Sequence, residues 1–125
     1  MHLPFSFIGH PVKGAGRGKE LGTPTINVDV QDVPPDLPHG IYAGSVMIGD
    51  TSYIAAMHYG PAPVFQADTT FEVHVLDTTI DAVPDDITIT VQAHLRPIRD
   101  FPDVAALQAQ IADDIAQTRA IMQAQ

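Results

Sequence analysis

Two stretches of this chain gather the residue types that handle anions. Gly14-Ala15-Gly16-Arg17-Gly18-Lys19-Glu20-Leu21-Gly22 holds four glycines and two cations, with Lys13 directly before it. Glycines let backbone N–H groups approach a phosphate closely, and neighbouring cations neutralise it. The stretch is not a Walker A loop: a Gly-Lys reading at Gly18-Lys19 would need glycine where Lys13 stands and Ser or Thr where Glu20 stands. Nor is it GxGxxG, because Lys19 follows Gly14 and Gly16 where the third glycine belongs. A plain Gly-rich turn has the same composition. The second stretch holds Arg96 and Arg99; of the 6 Lys and Arg in the chain, only Arg119 stands apart from both. Gathered cations in an acidic chain point to a small anion held locally, or to chance clustering on solvated loops.

Thr23-Pro24-Thr25-Ile26-Asn27 follows the Gly-rich stretch. Proline is tolerated at the start of a strand, and the period of two puts the Thr25 hydroxyl and Asn27 amide on one face, about 7 Å apart at Cα. Two neutral hard oxygens beside a phosphate loop suit Mg²⁺, which takes few protein ligands and keeps phosphates and waters; an ordinary strand start is the plainer reading. Glu72, one of two glutamates, stands between Phe71 and Val73 in an apolar run. A carboxylate held on a rigid strand can serve as a general base, and it can equally be a solvated outer-face residue. The six histidines are dispersed, with no HExxH, and no GxSxG elbow supports serine hydrolysis.

The elements that must position these residues are short. Glycine and proline (9 and 11 of 125 residues) cut the chain into apolar segments: Leu3–Ile8, Thr25–Val30, Ile41–Ile48, Tyr53–Tyr59, Thr70–Leu76 and Ile87–Leu95 read as strands. Phe71, Val73 and Val75 share one strand face, which puts Glu72 and His74 on the other. Loops are expected at 9–22, 31–40, 60–69 and 77–86. After Phe101-Pro102 the period becomes helical through Val104, Leu107, Ile111, Ile115 and Met122, with Asp103 as N-cap. The expected architecture is one mostly β domain over 1–125: a closed antiparallel barrel over about 1–101, then one α-helix over about 103–123.

Composition narrows the function classes. With 45% hydrophobic residues the chain can bury a single core, and with no cysteine it has no disulfide, thiolate-metal site or thiol nucleophile. A net charge of -9 disfavours nucleic acid and anionic membrane as partners. No apolar run reaches the roughly 20 residues that span a bilayer, and the N-terminus has no basic signal region, so a cytoplasmic protein is expected.

Taken in order, these motifs are similar to those of the riboflavin kinases (flavokinases). The matching pieces are Gly14-Ala15-Gly16-Arg17-Gly18, Leu21-Gly22-Thr23-Pro24-Thr25-Ile26-Asn27, Gly40-Ile41-Tyr42-Ala43-Gly44, Tyr59-Gly60-Pro61-Ala62-Pro63-Val64-Phe65, Phe71-Glu72-Val73-His74-Val75 and Leu95-Arg96-Pro97-Ile98-Arg99-Asp100-Phe101. Single pieces are weak signals, but PTxN, ExH and LRPxxxF in sequence over nearly the whole chain are specific. The resemblance implies a Greek-key barrel with a C-terminal helix and transfer of the ATP γ-phosphate to the riboflavin 5′-hydroxyl, giving FMN and ADP. It implies Gly14 and Lys19 as nucleotide-loop residues, Thr25 and Asn27 as the pair that binds nucleotide and Mg²⁺ or another divalent cation, and Glu72 as catalytic base. Val75 and Asp77 fall where the family's chain passes the adenine, and Arg96, Arg99 and Phe101 where it contacts the flavin.

Where family members carry a Tyr-Gly pair after the ExH strand, this chain has Ile80-Asp81-Ala82-Val83-Pro84-Asp85; where they carry Ala in PTxN it has Ile26, which should point away from Thr25 and Asn27. A non-catalytic flavin- or nucleotide-binding module on the same barrel is the alternative, and the joint presence of Thr25, Asn27 and Glu72 favours the enzyme. The kinase resemblance begins within the first ten residues, so no adenylyltransferase domain is expected before it and the product should be FMN, not FAD. A monomer is expected.

Overall fold

Period-two alternation decides most of the architecture. The structure, a computed structural model, describes residues 2–13, 25–61, 68–80 and 82–125. Its strands are β1 (Phe5–Gly9), β2 (Pro11–Val12), β3 (Ile26–Val28), β4 (Gly40–Ile48), β5 (Thr51–Gly60), β6 (Thr70–Val75) and β7 (Ile87–Arg96), followed by one helix, α1 (Val104–Gln123). They form a single sheet in the order β1-β7-β4-β5-β6-β3-β2, and every pairing in it is antiparallel. Strands β4, β5 and β6 are consecutive neighbours, and β7 returns to lie beside β4, which is the Greek-key arrangement. The two edge strands, β1 and β2, are separated only by His10. The edges of the sheet are thus one continuous piece of chain, and the sheet, antiparallel as expected, curls into a half-barrel.

The core fills from alternate positions. On β6, Phe71, Val73 and Val75 are buried while Thr70, Glu72 and His74 lie on the other face. Tyr42, Val46, Ala55, Met57, Ile87, Ile89 and Val91 complete the interior with Val28 of β3. Gly44 lies at a register shift between β4 and β7. A Cβ there would meet the Thr90 carbonyl oxygen and the Met57 methyl, so the close approach of the two strands requires glycine.

The expected strand over Thr25–Val30 is shorter than its composition suggests. It ends at Val28 because the Asp29 carboxylate accepts the Gln31 N–H at 3.0 Å and starts a 3-10 turn at Val30–Asp32. The segment expected as a loop over 9–22 begins with the last residue of β1 and the short β2.

Asp103 caps α1 as expected, its carboxylate accepting the Ala106 N–H at 2.8 Å. The helix packs on β4, β5 and β7. There Ile41, Ala43 and Ala56 face away from the interior and are buried all the same. Of the expected stripe Leu107 is buried but Val104 is 45% exposed, and the covered face also takes in Asp114 and Thr118. An acid can stand on the packed face because Arg96, the last residue of β7, reaches it. Arg96 Nε and Nη2 donate to the two Asp114 carboxylate oxygens at 2.9 and 2.8 Å, with side chains 15% and 6% exposed. Gln110 Nε2 also donates to Asp114, and the Thr118 hydroxyl donates to the Asp114 carbonyl.

Breaking such a pair from one side leaves an uncompensated buried charge, which costs about 3–5 kcal/mol. Asp114→Ala is expected to lower the free energy of unfolding by about that amount in urea titration. Replacing Arg96 and Asp114 together by apolar residues of similar volume should recover most of the loss.

Candidate active site

The outward face of β3, β6 and β5 brings polar residues into one row. Asn27 stands opposite Glu72 across the β3–β6 ladder, and His58 stands opposite Glu72 across the β5–β6 ladder. On β3, Ile26 packs on the core and Val28 is buried in it, so Asn27 between them faces outward, as the alternation requires. Thr25 lies just before β3. Its hydroxyl donates to Glu72 Oε1 at 3.2 Å, and the Thr70 hydroxyl donates to Glu72 Oε2 at 3.2 Å. The carboxylate is therefore held from both sides, by the adjacent segment and by its own strand two residues back.

His58 is the third neighbour. Its Nδ1 lies 3.8 Å from Glu72 Oε2, beyond hydrogen-bond range, with the two side chains 20% and 13% exposed. Both ring nitrogens are buried, and among the described residues neither has a hydrogen-bond partner. Burial holds the imidazole below its ordinary value of 6.5, and the positive Arg96 acts the same way. The Glu72 charge pulls in the opposite direction, as do backbone groups at Pro61 and at His58 itself, which make no hydrogen bond of ordinary geometry with the ring.

A second cluster forms where β7 leads into α1. The Arg96 and Arg99 guanidinium carbons lie 5.6 and 5.0 Å from the centre of the Phe101 ring. Arg99 donates to Gln110 Oε1 at 2.8 Å. Arg96 also faces the first row, since Ile41 is the β4 neighbour of both His58 and Arg96. Its guanidinium is nevertheless committed to Asp114.

Val75 and Asp77, expected beside the adenine, are arranged differently. The Val75 side chain belongs to the core, so what it offers a ligand is backbone. Asp77 has a positive φ of 69° and pairs bidentately with Arg119 of α1. That partner holds the Asp77 carboxyl below its ordinary range. Gly14 and Lys19 lie outside the described residues.

Thr25, Asn27 and Glu72 come together, and Arg96, Arg99 and Phe101 come together. Sequence reasoning missed Thr70, His58 and Asp114. Thr70 was findable, because the period of two puts it on the Glu72 face. Asp114 was findable as an acid on the helical stripe through Leu107, Ile111 and Thr118. His58 was not, because its place beside Glu72 depends on the β5–β6 register.

Comparison with known proteins bears on the family and the fold. A family model described as Flavokinase: Riboflavin kinase matches residues 1–122. The riboflavin kinase of Homo sapiens is 30% identical over 125 residues, covering 94% of this chain and 81% of its own length. Among solved structures, a protein from Streptococcus pneumoniae described as a macrolide-efflux protein is similar with TM-score 0.80 and 26% identity, over 93% of this chain and 38% of that one. Riboflavin kinase from Trypanosoma brucei has the same fold, with TM-score 0.63 and 23% identity over 96% of this chain and 80% of that one.

The histidines make stability depend on pH. His58 and His74 are both held below 6.5, in each case chiefly by burial, so the unfolded chain binds protons more readily than the folded one. Their contribution is fully present above 6.5 and is lost as pH falls through 6.5 toward the lower folded values. Urea midpoints measured from pH 8 down to 5 should decline, and His58→Leu should reduce the slope.

Proposed function

The chain belongs to the riboflavin kinase family, and from that premise we propose that Glu72 is the general base, Thr25 and Asn27 hold the nucleotide phosphates with a divalent cation, and Arg99 and Phe101 meet the flavin. The reaction is transfer of the γ-phosphoryl group of ATP to the riboflavin 5′-hydroxyl. The hydroxyl oxygen forms a bond to phosphorus as the bond from the β–γ bridging oxygen breaks, and the hydroxyl proton is taken up. Such transfer depends on positioning and charge neutralisation more than on covalent chemistry by the protein.

The observation that carries the reading is the placement of Glu72. Its carboxylate is half-buried on a rigid strand and oriented by the Thr25 and Thr70 hydroxyls. It can accept the 5′-hydroxyl proton without rearrangement of the sheet.

Thr25 and Asn27 suit a hard cation for a reason visible in the hydrogen bonding. The Thr25 hydroxyl directs its hydrogen at Glu72, which leaves oxygen lone pairs for another partner. Among the described residues no cluster of three or more His, Asp or Glu could hold an ion. Two neutral oxygens of this kind fit an ion that takes most of its ligands from phosphates and waters. When bound, the cation supplies neutralisation of phosphate charge. The chain's own part is to orient the phosphates at the end of β3 and to present Glu72 beside them.

Arg96 acts through its pair with Asp114, which fixes the start of the segment that carries Arg99 and Phe101. Arg99 is bonded to a neutral amide and keeps its charge for a ligand. The nucleotide-loop roles of Gly14 and Lys19, and adenine contact through the Val75 backbone and near Asp77, rest on the family resemblance alone. Among the described residues no helix is long and apolar enough to cross a membrane. A single cytoplasmic, monomeric domain over 1–125 belongs to the same reading, supported by the charge balance and the single barrel-and-helix core.

Glu72→Gln should leave the fold and ligand binding intact while lowering the rate of FMN formation about 10²- to 10⁴-fold. Near-parent turnover would remove Glu72 from the mechanism.

Thr25→Ala and Asn27→Ala should each weaken ATP binding in the presence of Mg²⁺ and change it little in EDTA, as read by calorimetry. Equal affinity to the parent with metal present would overturn their assignment.

A further inference from the structure

A histidine buried beside the base, with both ring nitrogens unbonded, calls for a physical account. An unpaired polar atom away from water costs about 1–3 kcal/mol, and sites that retain one commonly use it. His58 is such a residue. Its ring stands on the strand next to Glu72, in direct cross-strand register, with Nδ1 3.8 Å from Oε2. On its other side are Ile41, its buried β4 partner, and beyond that Arg96. Glu72 is the one carboxylate within ion-pair distance of the ring among the described residues, and the backbone groups at Pro61 and at His58 itself that also approach it make no hydrogen bond of ordinary geometry.

We infer that His58 is a positioning residue for Glu72: with substrates bound, its Nδ1–H closes the remaining distance to Oε2 and holds the carboxylate in the orientation that receives the hydroxyl proton. The inference rests on the reading of Glu72 as base. Hydrogen bonds of a catalytic group are often long without substrate and tighten in the reactive complex. A separation of 3.8 Å needs a shift of less than about 1 Å to reach ordinary N–H···O range. Burial favours the neutral ring, which has one N–H to donate and makes no second charge beside the carboxylate. Glu72 Oε2 already accepts from Thr70, and a carboxylate oxygen has a further lone pair for the imidazole.

The test compares His58→Leu, which fills the space without a donor, with His58→Asn, whose amide N–H falls near the position of Nδ1. Both are assayed for riboflavin phosphorylation with saturating ATP and Mg²⁺, and for thermal midpoint. His58→Leu should lower kcat about tenfold, the worth of one good hydrogen bond, leave KM for riboflavin and ATP within about twofold, and melt at or above the parent temperature. His58→Asn should restore kcat to within about threefold of the parent. A role in packing alone predicts a parent-like kcat for both variants, because removing two buried unpaired nitrogens touches no reacting group, and the thermal midpoint then shows only that the variants are folded. The inference is overturned if folded His58→Leu turns over like the parent, or if His58→Asn falls as far as His58→Leu. Should the leucine variant not fold, His58→Met is read in its place.

In a Glu72→Gln background, His58→Leu should cost nothing further. Near-parent turnover by Glu72→Gln alone would bring down the base assignment and this inference with it. A crippled Glu72→Gln beside a fully active His58→Leu would bring down this inference only.

Discussion

The pairing register of β6 is the constraint on which the rest depends. A slip of one residue would turn Phe71, Val73 and Val75 out of the core and Glu72 and His74 into it. The interior resists this strongly. Phe71 is fully buried and meets Phe7 edge-on at 5.6 Å and Tyr59 at 5.8 Å. Three large apolar side chains at about 1.5–3 kcal/mol each outweigh anything gained by the outward face. Because β6 pairs with β3 on one side and β5 on the other, its register also decides which residues flank the carboxylate. Asn27 and His58 stand opposite Glu72 because the core holds Phe71 and Val73 where it does. The geometry of the outer face is inherited from the packing of the inner one.

The helix extends this logic to the segment that carries Arg99 and Phe101. α1 covers outward positions of β4 and β5 that would otherwise expose Ile41, Ala43 and Ala56. Its one charged anchor on that face, Asp114, meets Arg96 at the end of β7. That contact fixes the point from which the segment bearing Arg99 and Phe101 departs. The scarce cations therefore divide by task. Arg96 and Arg119 are neutralised by Asp114 and Asp77, whereas Arg99 meets a neutral amide and the Phe101 ring. In a chain with net charge -9, the cations not already paired with an acid carry most weight for an anionic ligand, since charge acts locally across a Debye length of about 8–10 Å.

Much of this was legible in the sequence, and the part that was not has an identifiable cause. Strict alternation in β6 placed Glu72 outward before any coordinate was known, and Pro24 with the Thr25–Asn27 spacing placed two oxygens on the same side. Asp103 and the change of period announced the helix. Boundaries were less legible because they depend on side chains bonding to backbone, as Asp29 does in ending β3. Hydrophobic spacing finds the helix stripe except at its exposed first residue, Val104, and it cannot find Asp114, which joins the buried face through a partner on another element. His58 marks the limit: nothing in its neighbours Met57 and Tyr59 distinguishes it from a histidine on a solvated strand. Only the β5–β6 pairing, a long-range property, sets it beside Glu72.

The division between strands and connections follows from what phosphoryl transfer asks of a protein. The groups that must hold a fixed orientation at the reacting oxygen belong on elements that cannot shift independently, and Asn27, Glu72 and His58 all stand on paired strands. Groups that grip a ligand must let it enter and leave. The segment from Pro97 to Phe101 belongs to a connection, where backbone is not committed to a ladder. A curled sheet in which each strand is laddered to its neighbours leaves those strands little freedom to shift. Accommodation of substrate therefore falls to this connection and to small side-chain movements against the sheet. A carboxylate braced by two threonine hydroxyls, with an unbonded imidazole within reach, is suited to that division: it adjusts by tenths of an ångström while the strands beneath it stay in register.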